Sequence, residues 1–113
     1  MYTGPERRVH VRTSKPVQAT IQIPSNNVLM DWHSVSIKNI SAGGLYFTCD
    51  REFSAGSLLN FKIHLSSEAR PVRCTGKILR VGKIGGSETF GAAVCFVDID
   101  PADQNLINTF ASA

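Results

Sequence analysis

The sequence predicts an all-β protein: a six-stranded antiparallel β-barrel with a short C-terminal helix. Three observations carry that prediction. Apolar residues recur at every second position in about six separate runs. Gly, Pro, Asn and Ser punctuate those runs at regular intervals. The tail then changes to a helical spacing. A barrel is the economical arrangement for such runs, because closure removes exposed strand edges.

Each element has its own signal. Val17, Ala19, Ile21 and Ile23 alternate with Gln18, Thr20 and Gln22 between Pro16 and Pro24, which is the pattern of a half-buried strand. Ser25-Asn26-Asn27 reads as a turn. A second strand is expected from Trp32 to Asn39 with Val35 and Ile37 inward, and after the break at Gly43-Gly44 the chain restarts with the β-formers Leu45-Tyr46-Phe47-Thr48. Ser54-Ala55-Gly56 marks a turn before Leu59, Phe61, Ile63 and Leu65, which alternate with Asn60, Lys62 and His64. Beyond a polar loop from Ser66 to Pro71, the inward series is Val72, Cys74, Gly76 and Ile78, with Leu79 on the opposite side. Gly82 to Glu88 is the hairpin connection to a last strand carrying Phe90, Ala92, Val94 and Phe96, with Gly91 a bulge or a point of close packing.

In the tail, Asp100 is the N-cap, Pro101 takes the first helical position, and Asp103 is an acid three residues after the cap. Ala102, Leu106, Ile107 and Phe110 are expected to share the packed face.

Composition narrows the function classes. The 113 residues suffice for one domain, and 42% hydrophobic against 19% charged residues is a globular balance. No apolar stretch is long enough to span a bilayer, and the basic amino terminus is followed by no apolar signal region, so a cytoplasmic location is expected. Cys49, Cys74 and Cys95 are far apart, without a CxxC or a His at zinc-ligand spacing, so neither a disulfide, a metal nor a cofactor is expected. No nucleophile elbow, P-loop or partnered carboxylate pair is present, and Ser41 has no cue for a base. An enzyme is the least favoured class. His10, His33 and His64 are scattered, with His64 on the polar side of its strand.

Two polar clusters stand out from this background. Arg7-Arg8-Val9-His10-Val11-Arg12 packs three guanidiniums into six residues. Such a run can be a solvated basic tail. The Arg8-to-Arg12 spacing also lets two planar forks converge on one compact anion, bidentate to phosphate oxygens or to guanine O6 and N7. The second cluster is Asn39-Ile40-Ser41-Ala42-Gly43-Gly44. Read locally it is a strand end and a Ser turn in which Gly supplies a positive φ. The same turn would project the Asn39 amide and Ser41 hydroxyl beside glycines that allow close approach of a ligand.

Together, RRxxxR over Arg7 to Arg12 and NxSxxG over Asn39 to Gly44 resemble the two signatures of the PilZ domain, a family of bacterial receptors for cyclic di-GMP. The resemblance continues through the alternating strands, the Gly91-Ala92-Ala93-Val94-Cys95-Phe96 run and the terminal helix. It implies a flexible arginine-bearing segment over residues 1–14 that wraps the ligand, and a PilZ-type barrel with helix over 15–113. By the same resemblance, Arg8 and Arg12 would take phosphates and guanine edges, Asn39 and Ser41 would hydrogen-bond a guanine, and Gly43 and Gly44 would form the turn. Arg7, just ahead of RxxxR, implies an intercalated ligand dimer, and a protein partner would receive the signal. Asn39 departs from the commoner Asp, offering one acceptor where a carboxylate offers two.

Two further readings remain open. A PilZ-fold adapter could work by protein contact with weak or no ligand binding. A single-stranded nucleic-acid barrel could use Trp32, Tyr46 and Phe47 for stacking, although the cations cluster at one end of the sequence rather than along one strand. Trp32, Tyr46 and the six Phe are otherwise expected mainly in the core.

Overall fold

The computed structural model describes residues 17–23, 32–66, 70–86 and 88–112. The arginine cluster, and with it the expected flexible segment over 1–14, lies outside the described residues. Six strands form one closed antiparallel barrel in the order β1-β2-β3-β6-β5-β4: β1 (Val17–Gln22), β2 (His33–Ser41), β3 (Gly44–Cys49), β4 (Leu58–His64), β5 (Val72–Lys83) and β6 (Phe90–Ile99). A helix, α1 (Pro101–Ser112), follows directly.

The alternation works as expected. Val17, Ala19, Ile21, Val35, Ile37, Leu45, Phe47, Leu59, Phe61, Ile63, Val72, Cys74, Ile78, Ala92 and Val94 are all buried in one core. Phe47 sits at its centre, edge-on to Phe53 and Phe61 at 6.1 and 6.0 Å between ring centroids. Trp32 is not part of that core: it is 36% exposed, with Lys62 Nζ 4.8 Å from its ring.

Three strand irregularities change what faces out. In β2 the register steps from Ile37↔Phe47 to Asn39↔Tyr46, leaving Lys38 as an extra residue. In β5 it steps from Ile78↔Val94 to Arg80↔Ala93, leaving Leu79 extra. In β6 it steps from Gly76↔Phe96 to Thr75↔Asp98, leaving Val97 extra. Each extra residue reverses the parity beyond it. Ile40 is therefore fully buried, and Val81 turns towards the core where strict alternation from Ile78 would have placed Arg80.

A strand boundary and the packed face of α1 differ from the sequence reading. β5 runs on to Lys83, so the hairpin begins at Ile84, closed by Ile84 N–H donating to the Thr89 carbonyl at 2.8 Å. In α1 the cap is as expected: Ala102 N–H donates to Asp100 Oδ1 at 2.9 Å. The packed face is rotated, however, so that Ala102 is exposed and Asp103 buried. Arg70 compensates Asp103: its Nη2 lies 2.7 Å from Oδ1, an ion-pair approach without hydrogen-bond alignment. The carboxylate thus takes the place on the packed face that the apolar pattern assigns to its neighbour.

Cys49, Cys74 and Cys95 are free thiols. Burial, followed by the charges of Asp103 and Asp98, pushes the Cys74 thiol up to about 12. No helix among the described residues is long and apolar enough to cross a membrane. The described residues hold no group of His, Cys, Asp or Glu arranged to bind a metal.

Candidate functional site

The Asn39–Gly44 segment is the hairpin joining β2 to β3, with Ser41 paired to Gly44 across the two-residue loop Ala42-Gly43. Ser41 Oγ accepts the Gly43 N–H at 3.2 Å, which is the expected Ser turn. The carbonyls of the loop are held from two sides. Gln104 Nε2 of α1 donates to Ala42 O at 3.1 Å, and Phe96 N–H of β6 donates to Gly43 O at 3.0 Å. The loop is anchored underneath, and Asn39 and Ser41 are left on the outer side.

The sequence predicts a positive φ within the glycine pair, but among the described residues the left-handed glycines are Gly56 (91°) and Gly85 (57°). Gly44 is needed for close approach instead. A Cβ there would run into the Val94 carbonyl oxygen and sit 3.1 Å from Cys95 Cα, so only glycine lets β3 lie this near β6. Gly91 is the close-packing point anticipated for it: a Cβ there would meet the Tyr46 ring.

Register brings distant residues into one row. Asn39 pairs with Tyr46, Tyr46 with Ala93, and Ala93 with Arg80, a line running across β2, β3, β6 and β5. The adjacent row is Ser41, Gly44, Cys95 and Lys77. Small residues in the middle and larger ones at the sides make a depression of about 370 Å³ lined by Asn39, Ser41, Gly43, Gly44, Tyr46, Leu79, Arg80 and Cys95 among others. Among the described residues no carboxylate lines it, and Arg80 supplies a guanidinium, so it suits an anion with a planar apolar part. A larger depression of about 450 Å³ near Trp32 contains Asp98 and Asp100 beside Arg73, a poorer match for a doubly anionic ligand.

The structure therefore collects Asn39, Ser41, Gly43 and Gly44 in one place. Arg7, Arg8 and Arg12 lie outside the described residues. The sequence reading left Arg80 unassigned, gave Leu79 only as an outward position, and offered Tyr46 only as a stacking residue of the nucleic-acid alternative. Tyr46 was recoverable as the outward neighbour of Phe47. Arg80 was not, because the alternation from Val72 aims it inward and only the extra residue Leu79 turns it out.

The family model of the PilZ domain matches residues 6–113. The chain belongs to the PilZ domain family. The Bacillus subtilis inhibitor of motility, MotI/DgrA, has a similar structure, with a TM-score of 0.80 at 22% identity over 96% of this chain and 51% of that one. The PilZ domain of YcgR from Escherichia coli, solved with c-di-GMP, gives 0.65 at 14% identity over 90% of this chain and 86% of that one. MrkH of K. pneumonia in complex with c-di-GMP gives 0.67 at 21% over 93% and 51%. At these identities the likeness is one of fold, and this PilZ chain spans about half the length of MotI and of MrkH. Among curated proteins none matches the sequence.

Proposed function

We propose that this PilZ chain is a cyclic di-GMP receptor that binds the ligand without altering it chemically. The observation that carries the reading is the depression that unites Asn39, Ser41 and Gly44 with Arg80 and has no carboxylate among its described lining residues. In it, Asn39 and Ser41 hydrogen-bond a guanine edge, the Tyr46 ring gives an apolar side, and Arg80 takes a phosphate or stacks on a base. The c-di-GMP bound to the YcgR and MrkH domains of the same fold supports the ligand's identity.

Arg8 and Arg12 complete the site from the leader. Val17 pairs with Ile37, two residues from Asn39, so the leader is tethered beside the depression. Arg12 precedes Val17 by five positions in the sequence, a reach of up to about 17 Å for extended chain. Ordering of the leader around two phosphates is the switch, Arg7 extends it to an intercalated ligand pair, and a cytoplasmic protein partner reads the closed state.

Calorimetry with cyclic di-GMP tests this. Charge-assisted hydrogen bonds contribute about 1.5–3 kcal/mol each, so Arg8→Ala and Arg12→Ala should each weaken binding tenfold or more. The wild type should take up two ligands per chain. Unaltered affinity in both variants would overturn the assignment.

A further inference from the structure

The barrel wall is two-sided in chemistry. The outer positions of β1 and β2 carry Gln18, Thr20, Gln22, Ser34, Ser36 and Lys38, as a solvated sheet face should. The outer side of β4, β5 and β6 instead shows Leu58, Leu79 and Val97, which are 49%, 53% and 52% exposed. Two of these three are the extra residues of the β5 and β6 bulges, outward by alternation from Ile78 and Phe96, and the bulges turn Arg80 and Asp98 out beside them.

Register shows that these residues form one patch. Lys77 pairs with Leu58 on one side and with Cys95 on the other. Leu79 lies two residues further along β5, and Val97 two residues further along β6. Lys77 is therefore ringed by aliphatic groups. Four of the eight described Lys and Arg residues, Arg73, Lys77, Arg80 and Lys83, are exposed along β5. Asp98, opposite Thr75, is the acid at the margin.

We propose that this β4–β5–β6 face docks an acidic segment of a partner protein that carries aliphatic side chains between its carboxylates. Charge complementarity selects an acidic occupant. The aliphatic ring around Lys77 favours a polypeptide over nucleic acid, because leucine and valine offer bases nothing to stack on, and Trp32 on this side already lies under Lys62. A second copy of the chain is disfavoured, since a two-fold contact centred here would set Lys77 and Arg80 against the same cations. The proposal extends the receptor reading by giving the partner's chemistry. Its surface adjoins the depression through Leu79 and Arg80.

The test begins without cyclic di-GMP, so the two readings can fail separately. The isotope-labelled full chain is titrated by NMR with a synthetic Leu/Glu-rich peptide, polyglutamate, oligo-dT and phosphatidylserine-containing vesicles. The peptide should bind most tightly and shift the amides of Leu58, Lys77, Leu79 and Val97. Lys77→Glu and the double variant Leu58→Ser/Val97→Ser should each weaken peptide binding tenfold or more with melting temperature retained, and the double variant should also keep its cyclic di-GMP affinity. Tighter binding of oligo-dT or vesicles, shifts on β1 and β2 instead, or unchanged peptide affinity in both variants would overturn the proposal. So would a dimer in sedimentation that Leu58→Ser/Val97→Ser dissolves.

Discussion

Replacing Gly44 by Ala tests whether close approach of β3 and β6 is what the turn requires. The added Cβ would overlap the Val94 carbonyl oxygen and sit 3.1 Å from Cys95 Cα and 3.2 Å from Val94 C, all backbone of the neighbouring strand. Backbone in a closed barrel has no rotamer to change, so β3 must retreat by roughly an ångström to clear that oxygen. The Phe96 N–H to Gly43 O bond, now 3.0 Å, would then stretch out of hydrogen-bond range. Overpacking costs about 1–3 kcal/mol, and the lost bond about 0.5–1.5 kcal/mol. The expected destabilisation is about 2–4 kcal/mol, or about 8–16 °C of melting temperature for a domain of this size. Thermal melts followed by circular dichroism, with urea titration alongside, measure it. Gly82→Ala is the control: nothing lies within 4 Å of its added Cβ, and its melt should be close to wild type. A Gly44→Ala melt within about 3 °C of wild type would refute the reasoning, because the strands would then have slack that the contacts deny.

Three more outcomes follow from the structure. Arg80→Ala should weaken cyclic di-GMP binding about tenfold with an unchanged melt, since the exposed guanidinium has no role in the core. Gln104→Ala and Gln104→Glu should both lower stability by about 1–3 kcal/mol in urea titration, because neither can donate to the carbonyl of fully buried Ala42. Cys74 is raised in the folded state, so the unfolded chain loses its proton first. Its contribution is complete below about pH 9 and is lost as pH rises towards about 12. Urea titrations at about pH 8 and about pH 11 should therefore show a smaller loss for Cys74→Val than for wild type.

The fold was legible because its core obeys a period of two, which residues such as Ala19, Ile21, Phe61, Ile63 and Ile78 state without ambiguity. The Asn39–Gly44 half of the site was legible because its residue types serve turn and ligand alike. The rest was hidden for definite reasons. An extra residue in a strand leaves the local composition untouched while reversing which later side chains face out, so Arg80 could not be placed from the pattern. Gly44 looked like a turn glycine because the carbonyl it must avoid belongs to Val94, fifty positions along the chain. Asp103 looked like a cap acid because Arg70, the cation that lets it be buried, lies in a different loop.

The odd residues Lys38 and Leu79 have a bearing on how relatives of this barrel are compared. Remove either one and the strand pairs regularly, with Asn39 still opposite Tyr46 or Arg80 still opposite Ala93 and the side chain still outward. A relative one residue shorter at that point could then keep the same recognition surface, while one of equal length with a regular strand would turn the amide or the guanidinium inward. A one-position gap opposite Lys38 or Leu79 therefore leaves this surface intact, whereas ungapped alignment of the bulged strand with a regular one misassigns every facing beyond it.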